Sequence, residues 1–370
     1  MNTQALIDTA SALMAGDKGL LAMDESNSTC NQRFASLDIP QTTEARRAWR
    51  ELILTTPDLA RSISGVILYD ETIRQQKRDG TSFIQLINDA GMIPGIKVDT
   101  GAKDLAGRPG EKITEGLDGL RNRLAEYAQM GARFAKWRAV IGIGAGTAVV
   151  AAADAVTDTV ANPLADTVAD AAENPSRGCI EANAHSLARY AALCQEAGIV
   201  PIIEPEVLMN GAHSLARNFE VTAEVLHLVF SQLNSQRVML EAMILKPNMV
   251  LPGLQFAGQQ HQQRISVEAD ATVRCLLRAV PAAVAGIAFL SGGQAGELAS
   301  ARLNAMNARF KGRLPWALTF SFARAIQQPA LEIWRGDEAR VPAAQRALSH
   351  RASCNQAARR GEYDARMEQI

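Results

Sequence analysis

Cysteine is sparse and carries no pattern. The five, Cys30, Cys179, Cys194, Cys275 and Cys354, are odd in number and none stands in C-x-x-C spacing. That argues against a disulfide frame or a thiolate zinc site and suits reduced thiols in a cytoplasmic setting. The five histidines, His185, His213, His227, His261 and His350, form no H-x-x-x-H pair, which disfavours metal catalysis, so neither a metal nor another cofactor is expected. A surplus of one charge is also missing. The 38 Lys and Arg against 39 Asp and Glu leave a formal net charge of -1, so no global basic field points to nucleic acid. No apolar run approaches the length of a bilayer span. The opening residues "MNTQALIDTASALMAGDKG" lack the basic start and apolar stretch of a secretory signal.

What the chain does have is a recurring alternation. Eight short apolar runs stand between amphipathic stretches: "LLAMD" (20–24), "GVILYDE" (65–71), "PGIKVD" (94–99), "RFAKWR" (133–138), "VPIIEPE" (200–206), "AMILKP" (242–247), "GIAFLSGG" (286–293) and "PWALTFS" (315–321). Segments such as "LDGLRNRLAEYAQMGA" space their apolar residues as a helix does. Eight strands alternating with helices imply an α/β fold with parallel strands, and eight closes a (β/α)8 TIM barrel over residues 1–370. An open doubly wound sheet is the alternative.

In such a barrel the chemistry collects at the C-terminal ends of the strands. The runs here end in Asp24, Lys97, Lys136 with Arg138, Glu204 with Glu206, Lys246, Ser291 with Gly292, and Ser321 near Arg324. A period of two puts Lys136 and Arg138 on the face of Phe134, Glu204 and Glu206 on that of Ile202, and Lys246 on that of Ile244. Lys246, inside "MILKPNM" (243–249), lies in the most apolar of the lysine strands. Desolvation and cationic neighbours favour the neutral amine, so it is the candidate for an imine with a carbonyl substrate. The competing reading makes it a structural ion-pair partner of Glu204. Glu204 and Glu206 are then the proton carriers, and Asp24 either removes a hydroxyl proton or caps a helix. "LSGGQ" (290–294), with Gly292 and Gly293 followed by a helix, offers an anion cradle next to Arg324. Arg33, with Ser26 and Thr29 before it, offers a second anion site, so the pair suggests a bisphosphorylated sugar. "GIGAG" (142–146) is no dinucleotide fingerprint, since the third glycine of that pattern falls on Thr147.

The segments "GLLAMDES", "SGVILYDET", "GIKVDTG", "GLDGL", "FAKWR", "EPEVL", "LKPNM", "FLSGGQ" and "WALTFSFARA" resemble, in order, class I fructose-bisphosphate aldolase from about residue 17 to about 363. The resemblance implies a metal-independent (β/α)8 enzyme, usually a homotetramer. It would cleave fructose 1,6-bisphosphate reversibly into dihydroxyacetone phosphate and glyceraldehyde 3-phosphate. It also implies Lys246 as the Schiff-base lysine and Glu204 as the dehydrating acid/base, with Glu206 and Lys136 in its proton network. Asp24 then acts on the C4 hydroxyl and Lys97 lines the pocket. Ser291, Gly292 and Arg324 hold one phosphate, with Ser26, Thr29 and Arg33 at the other.

Departures are Ala323, where glycine is usual and where a need for φ > 0 would displace a backbone N–H, Gln32, where many relatives carry lysine, and a tail (340–370) that stops soon after Tyr363. Ala323 together with the insertion at 146–176 leaves one rival, a sugar-phosphate-binding scaffold without turnover, and Gln32 with Ala323 leaves another, an imine-forming aldolase for another phosphorylated ketose. The Ala-rich segment 146–176 is an insertion after the fourth strand. Val156, Val160, Leu164 and Val168 recur every fourth residue opposite an acidic stripe, with Asn162 and Pro163 as a cap between two short helices of an expected hairpin.

Overall fold

The computed structural model describes residues 3–144, 174–256 and 264–369. Eight parallel strands close into a barrel in the order β1 (Gly19–Ala22), β10 (Leu318–Phe322), β9 (Gly286–Phe289), β8 (Ile244–Leu245), β7 (Val200–Val207), β6 (Phe134–Ile141), β3 (Ile93–Lys97) and β2 (Ile63–Leu68). Each of the eight apolar runs contributes one of these strands. The shortest, β8, keeps two residues because Leu240–Ala242 winds into a 3-10 turn just before it. Around the barrel lie α1 (Thr3–Met14), α2 (Asn27–Ala35), α3 (Thr43–Leu54), α4 (Asp70–Ile73), α5 (Phe83–Asp89) and α6 (Leu120–Gln129). They are followed by α7 (Arg177–Glu196), α8 (Leu215–Ser235), α9 (Ile265–Ala279), α10 (Gly296–Arg309), α11 (Arg324–Trp334) and α12 (Val341–Arg360).

Strands buried on both faces read as unbroken apolar runs, with successive side chains pointing to opposite sides. Leu20, Ala22, Ile67, Phe134, Ile202, Ile244 and Ala288 fill the interior. Their neighbours Leu21, Val66, Ala135, Ile203, Leu245 and Ile287 pack outward under the helices. In α1, Leu6, Ala10, Leu13 and Met14 form one helical stripe that joins the interior cluster. Met14 and Leu13 reach the first residues of the strands, so α1 seals the end opposite the mouth. Gly286 makes room there for the Met14 side chain, which a Cβ would meet at 2.2 Å, and Gly95 clears the Phe134 ring, which a Cβ would meet at 2.3 Å.

A hairpin of β4 (Gly101–Asp104) and β5 (Lys112–Glu115) stands outside the barrel. It is tied to the start of α7 by Ser176, whose backbone N–H and hydroxyl both donate to Glu111 at 2.5 Å. The sequence segments "GAKD" and "KITE" hold too few apolar residues to signal strands. The hairpin expected over 146–176 lies, through residue 173, outside the described residues. The final segment forms α12 and a 3-10 turn, Ala365–Glu368. Among the described residues, no helix is long and apolar enough to cross a membrane.

Candidate active site

Inward-facing positions continue past the apolar layers into charged ones, and the mouth of the barrel is therefore polar. In β1 the alternation Leu20 in, Leu21 out, Ala22 in, Met23 out delivers Asp24 inward. In β6 it delivers Lys136 and Arg138, in β7 Glu204 and Glu206, and just beyond β8 Lys246, whose N–H donates to Ile203 O at 2.8 Å. These side chains meet in a chain of ion pairs. Lys136 Nζ lies 2.8 Å from Asp24 Oδ2 and 3.2 Å from Glu204 Oε2. Lys246 Nζ lies 3.0 Å from the other oxygen, Glu204 Oε1. The four are 7, 4, 3 and 3% exposed in the order Asp24, Lys136, Glu204, Lys246, so water screens their attraction little. Among the described residues Glu204 Oε2 makes no directed hydrogen bond beyond its 3.2 Å ion-pair contact, so a lone pair is left for a substrate proton.

Burial pushes the Asp24 carboxyl up, but Lys136, Lys246 and Lys97 outweigh it and hold the group at about 2. Asp24 is thus ionised at neutral pH. Burial also works against the Lys136 ammonium, and Asp24, Glu204 and Asp99 reverse this, raising it above its ordinary value. Lys136 is therefore a fixed cation that separates two carboxylates. Asp24 is not the helix cap: that place belongs to Ser26, which accepts from Thr29 N–H at 3.2 Å at the start of α2.

Beside this chain, Arg138 Nε meets Glu206 Oε2 at 2.5 Å and Lys97 Nζ meets Asp99 Oδ1 at 2.6 Å. Ser291, Gly292, Gly293 and Gln294 form a tight turn closed by Gln294 N–H to Ser291 O at 3.0 Å. Its central residues have φ +57° and +87°, a geometry that glycine takes without steric cost. Arg324 stands beside it, with Nη2 3.4 Å from where a Gly293 Cβ would lie. Burial, then repulsion from Arg33 and Arg138 against a partial offset from Glu206, lowers the Arg324 guanidinium, so these cations crowd one region of the wall. Arg33 is oriented by Glu25 at 2.5 Å, and Glu25 also pairs with Arg50 at 2.7 Å. Ser321 Oγ is buried and has no hydrogen-bond partner among the described residues. Ala323 adopts φ −105° at the start of α11, so alanine fits and the concern that this position needs φ > 0 falls away.

All fifteen side chains singled out from the sequence line one cavity of about 930 Å³: Asp24, Ser26, Thr29, Arg33, Lys97, Lys136, Arg138, Glu204, Glu206, Lys246, Ser291, Gly292, Gly293, Ser321 and Arg324. Sequence reasoning missed Glu25, Lys112, Gln294, Glu297 and Arg351 in the same wall. Glu25 and Gln294 were visible inside the quoted motifs, whereas Lys112 and Arg351 arrive from the unexpected hairpin and from α12. Among the described residues, eight cationic side chains face five carboxylates across the cavity, an excess suited to an anionic ligand inside a nearly neutral chain. Tyr363 is not in this wall; its hydroxyl donates to Glu368 Oε1 at 2.7 Å. His350, Cys354 and Glu368 bring three metal-competent atoms within 4.8 Å of one another, but they too lie outside the cavity wall, and Arg351 already holds Glu368.

The family model described as fructose-bisphosphate aldolase class-I matches residues 5–168 and 166–370. A Xanthomonas campestris protein named "Probable fructose-bisphosphate aldolase class 1" is 48% identical over 364 residues, covering 98% of this chain and 99% of that protein. Cytosolic fructose-bisphosphate aldolase 6 of Arabidopsis thaliana is 44% identical over 358 residues, 97% and 91% of the two chains. The solved fructose-bisphosphate aldolase of Plasmodium falciparum, crystallised with TRAP and a small-molecule inhibitor, superposes with a TM-score of 0.88 at 40% identity over 98% of this chain and 96% of that one. On sequence and on fold alike, this chain belongs to the class I fructose-bisphosphate aldolase family.

Proposed function

We propose that the protein cleaves fructose 1,6-bisphosphate reversibly into dihydroxyacetone phosphate and glyceraldehyde 3-phosphate through an imine on Lys246. The observation that carries this is the buried row Asp24–Lys136–Glu204–Lys246 along the floor of the cationic cavity. Glu204, 3.0 Å from Lys246 Nζ, takes a proton from the ammonium so that the free amine attacks the C2 carbonyl. It then returns a proton to the departing hydroxyl, and water leaves. In the resulting iminium the cationic nitrogen draws electrons from C3. Asp24 removes the C4 hydroxyl proton, the C3–C4 bond breaks, and its electron pair becomes the enamine. Glyceraldehyde 3-phosphate departs, the proton that Asp24 gained is passed on to C3 so that the carboxylate is restored, and water attacks C2 to release dihydroxyacetone phosphate and restore the amine. Lys136 keeps Asp24 and Glu204 apart in charge and fixed in place. The Ser291–Gly293 turn with Arg324, and Ser26, Thr29 and Arg33, hold the two phosphates. A cytoplasmic homotetramer is the assembly proposed, in line with the cytosolic names of two Arabidopsis thaliana relatives and the exposed Val267 and Leu277 on α9.

The purified protein is expected to release both triose phosphates from fructose 1,6-bisphosphate equally well with and without a chelator. Fructose 1-phosphate, which leaves one anion site empty, should be cleaved with kcat/KM at least about tenfold lower. Binding without cleavage would favour a scaffold, and equal kcat/KM for both sugars would favour a different ketose as substrate.

A further inference from the structure

Behind the Ser291–Gln294 turn lies a charged strut that the chemistry does not touch. Arg302 of α10 donates from Nη1 to Gln294 Oε1 at 2.7 Å and from Nε to Glu268 Oε2 of α9, also at 2.7 Å. Arg302 and Glu268 are 4% and 2% exposed, and Glu268 Oε1 has no hydrogen-bond partner among the described residues. A buried ion pair with an orphaned oxygen is a poor device for stability, since an apolar pair of similar volume often serves as well or better. Its geometry is nevertheless specific. It grips the side chain of the one residue whose N–H closes the turn. Among the described residues, the other end of that amide donates to a thioether, Met249 Sδ at 3.8 Å, a weak acceptor. A cavity of about 140 Å³ lies against Gly293, Gln294, Leu298 and Arg302, so packing alone leaves the turn room to shift there.

We infer that Glu268 and Arg302 are positioning residues for the anion cradle: through Gln294 they lock the two-glycine turn in the form that receives a phosphate. This rests on the reading that the turn and Arg324 bind a phosphate of the ketose. With the strut removed, the turn samples other conformations, phosphate affinity falls, and the imine chemistry at Lys246 is untouched.

The test is the double variant Glu268→Leu/Arg302→Met, with Arg302→Lys as the conservative partner. For the double variant KM for fructose 1,6-bisphosphate is expected to rise about tenfold, the loss of one charge-assisted bond, with kcat within about twofold and the melting temperature held or raised. Arg302→Lys, which keeps one charged donor, should show a rise of about threefold. Borohydride trapping of dihydroxyacetone, which carries no phosphate, should match wild type, whereas half-saturation by dihydroxyacetone phosphate should shift upward. An unchanged KM overturns the inference, as does an equal loss for both ketones together with a lower melting temperature. If the double variant does not fold, Arg302→Lys decides alone: a raised KM supports the strut and an unchanged one overturns it. Absence of any trapped adduct in wild type would instead strike at the Lys246 reading, leaving the two failures distinct.

Discussion

Lys246→Arg is expected to lose turnover by on the order of 10⁴-fold or more while keeping its fold, because a guanidinium retains the charge facing Glu204 but does not condense with a carbonyl in proteins. Lys246→Met should lose as much activity and also some stability. It takes away the 3.0 Å partner of Glu204 Oε1 and leaves Lys136 alone to balance Asp24 and Glu204. The pair of variants separates the two readings of this lysine. If Lys246 were only a structural ion-pair partner, the arginine variant would keep most of its activity and the methionine variant would lose it through unfolding. Steady-state cleavage of fructose 1,6-bisphosphate together with thermal melts of both variants distinguishes these outcomes.

Lys136→Met should carry the largest stability cost of any single change at the mouth. The ammonium lies between Asp24 and Glu204 at 2.8 and 3.2 Å, and its removal leaves two buried carboxylates with much of their compensation gone, a loss of about 3–5 kcal/mol. Activity should fall by about 10²-fold or more, since Asp24 would no longer be held ionised and aimed. The pH dependence carries a definite sign. In the native protein the Asp24 carboxyl sits at about 2 against an ordinary 3.8. Its contribution of about 2 kcal/mol is fully present above pH 4 and is lost as pH falls through about 2. Without Lys136 the carboxyl moves upward, so protonation relieves the variant where it harms the wild type. The stability gap should therefore narrow between pH 7 and pH 4 in urea unfolding. A gap that stays constant across that range would contradict the proposed pairing.

Much of the architecture was legible because barrel strands are apolar on both faces and so stand out as short runs. Their ends were legible because a charged residue following an apolar run, such as Lys246 after Ile244 and Leu245, has few structural excuses. The period of two alone places Lys136 with Arg138, and Glu204 with Glu206, on inward faces. What the sequence hid were long-range pairings. Nothing near Glu25 announces that it bridges Arg33 and Arg50, and nothing near Arg302 announces Gln294 or Glu268. The β4–β5 hairpin was invisible because four-residue strands have too little periodicity to read, and Lys112 was lost with it. The departure at Ala323 does not disturb the backbone, whose φ there is −105°. Backbone conformation at one residue is set by the tertiary frame, which a single sequence does not print.

The most direct measurement is to incubate the protein with dihydroxyacetone phosphate, add borohydride and locate the reduced adduct by mass spectrometry. One adduct per chain is expected, on the peptide that contains Lys246, formed equally in chelator and missing in Lys246→Arg. An adduct on Lys136 or Lys97 instead, or none while the ketone phosphate still binds, would contradict the account.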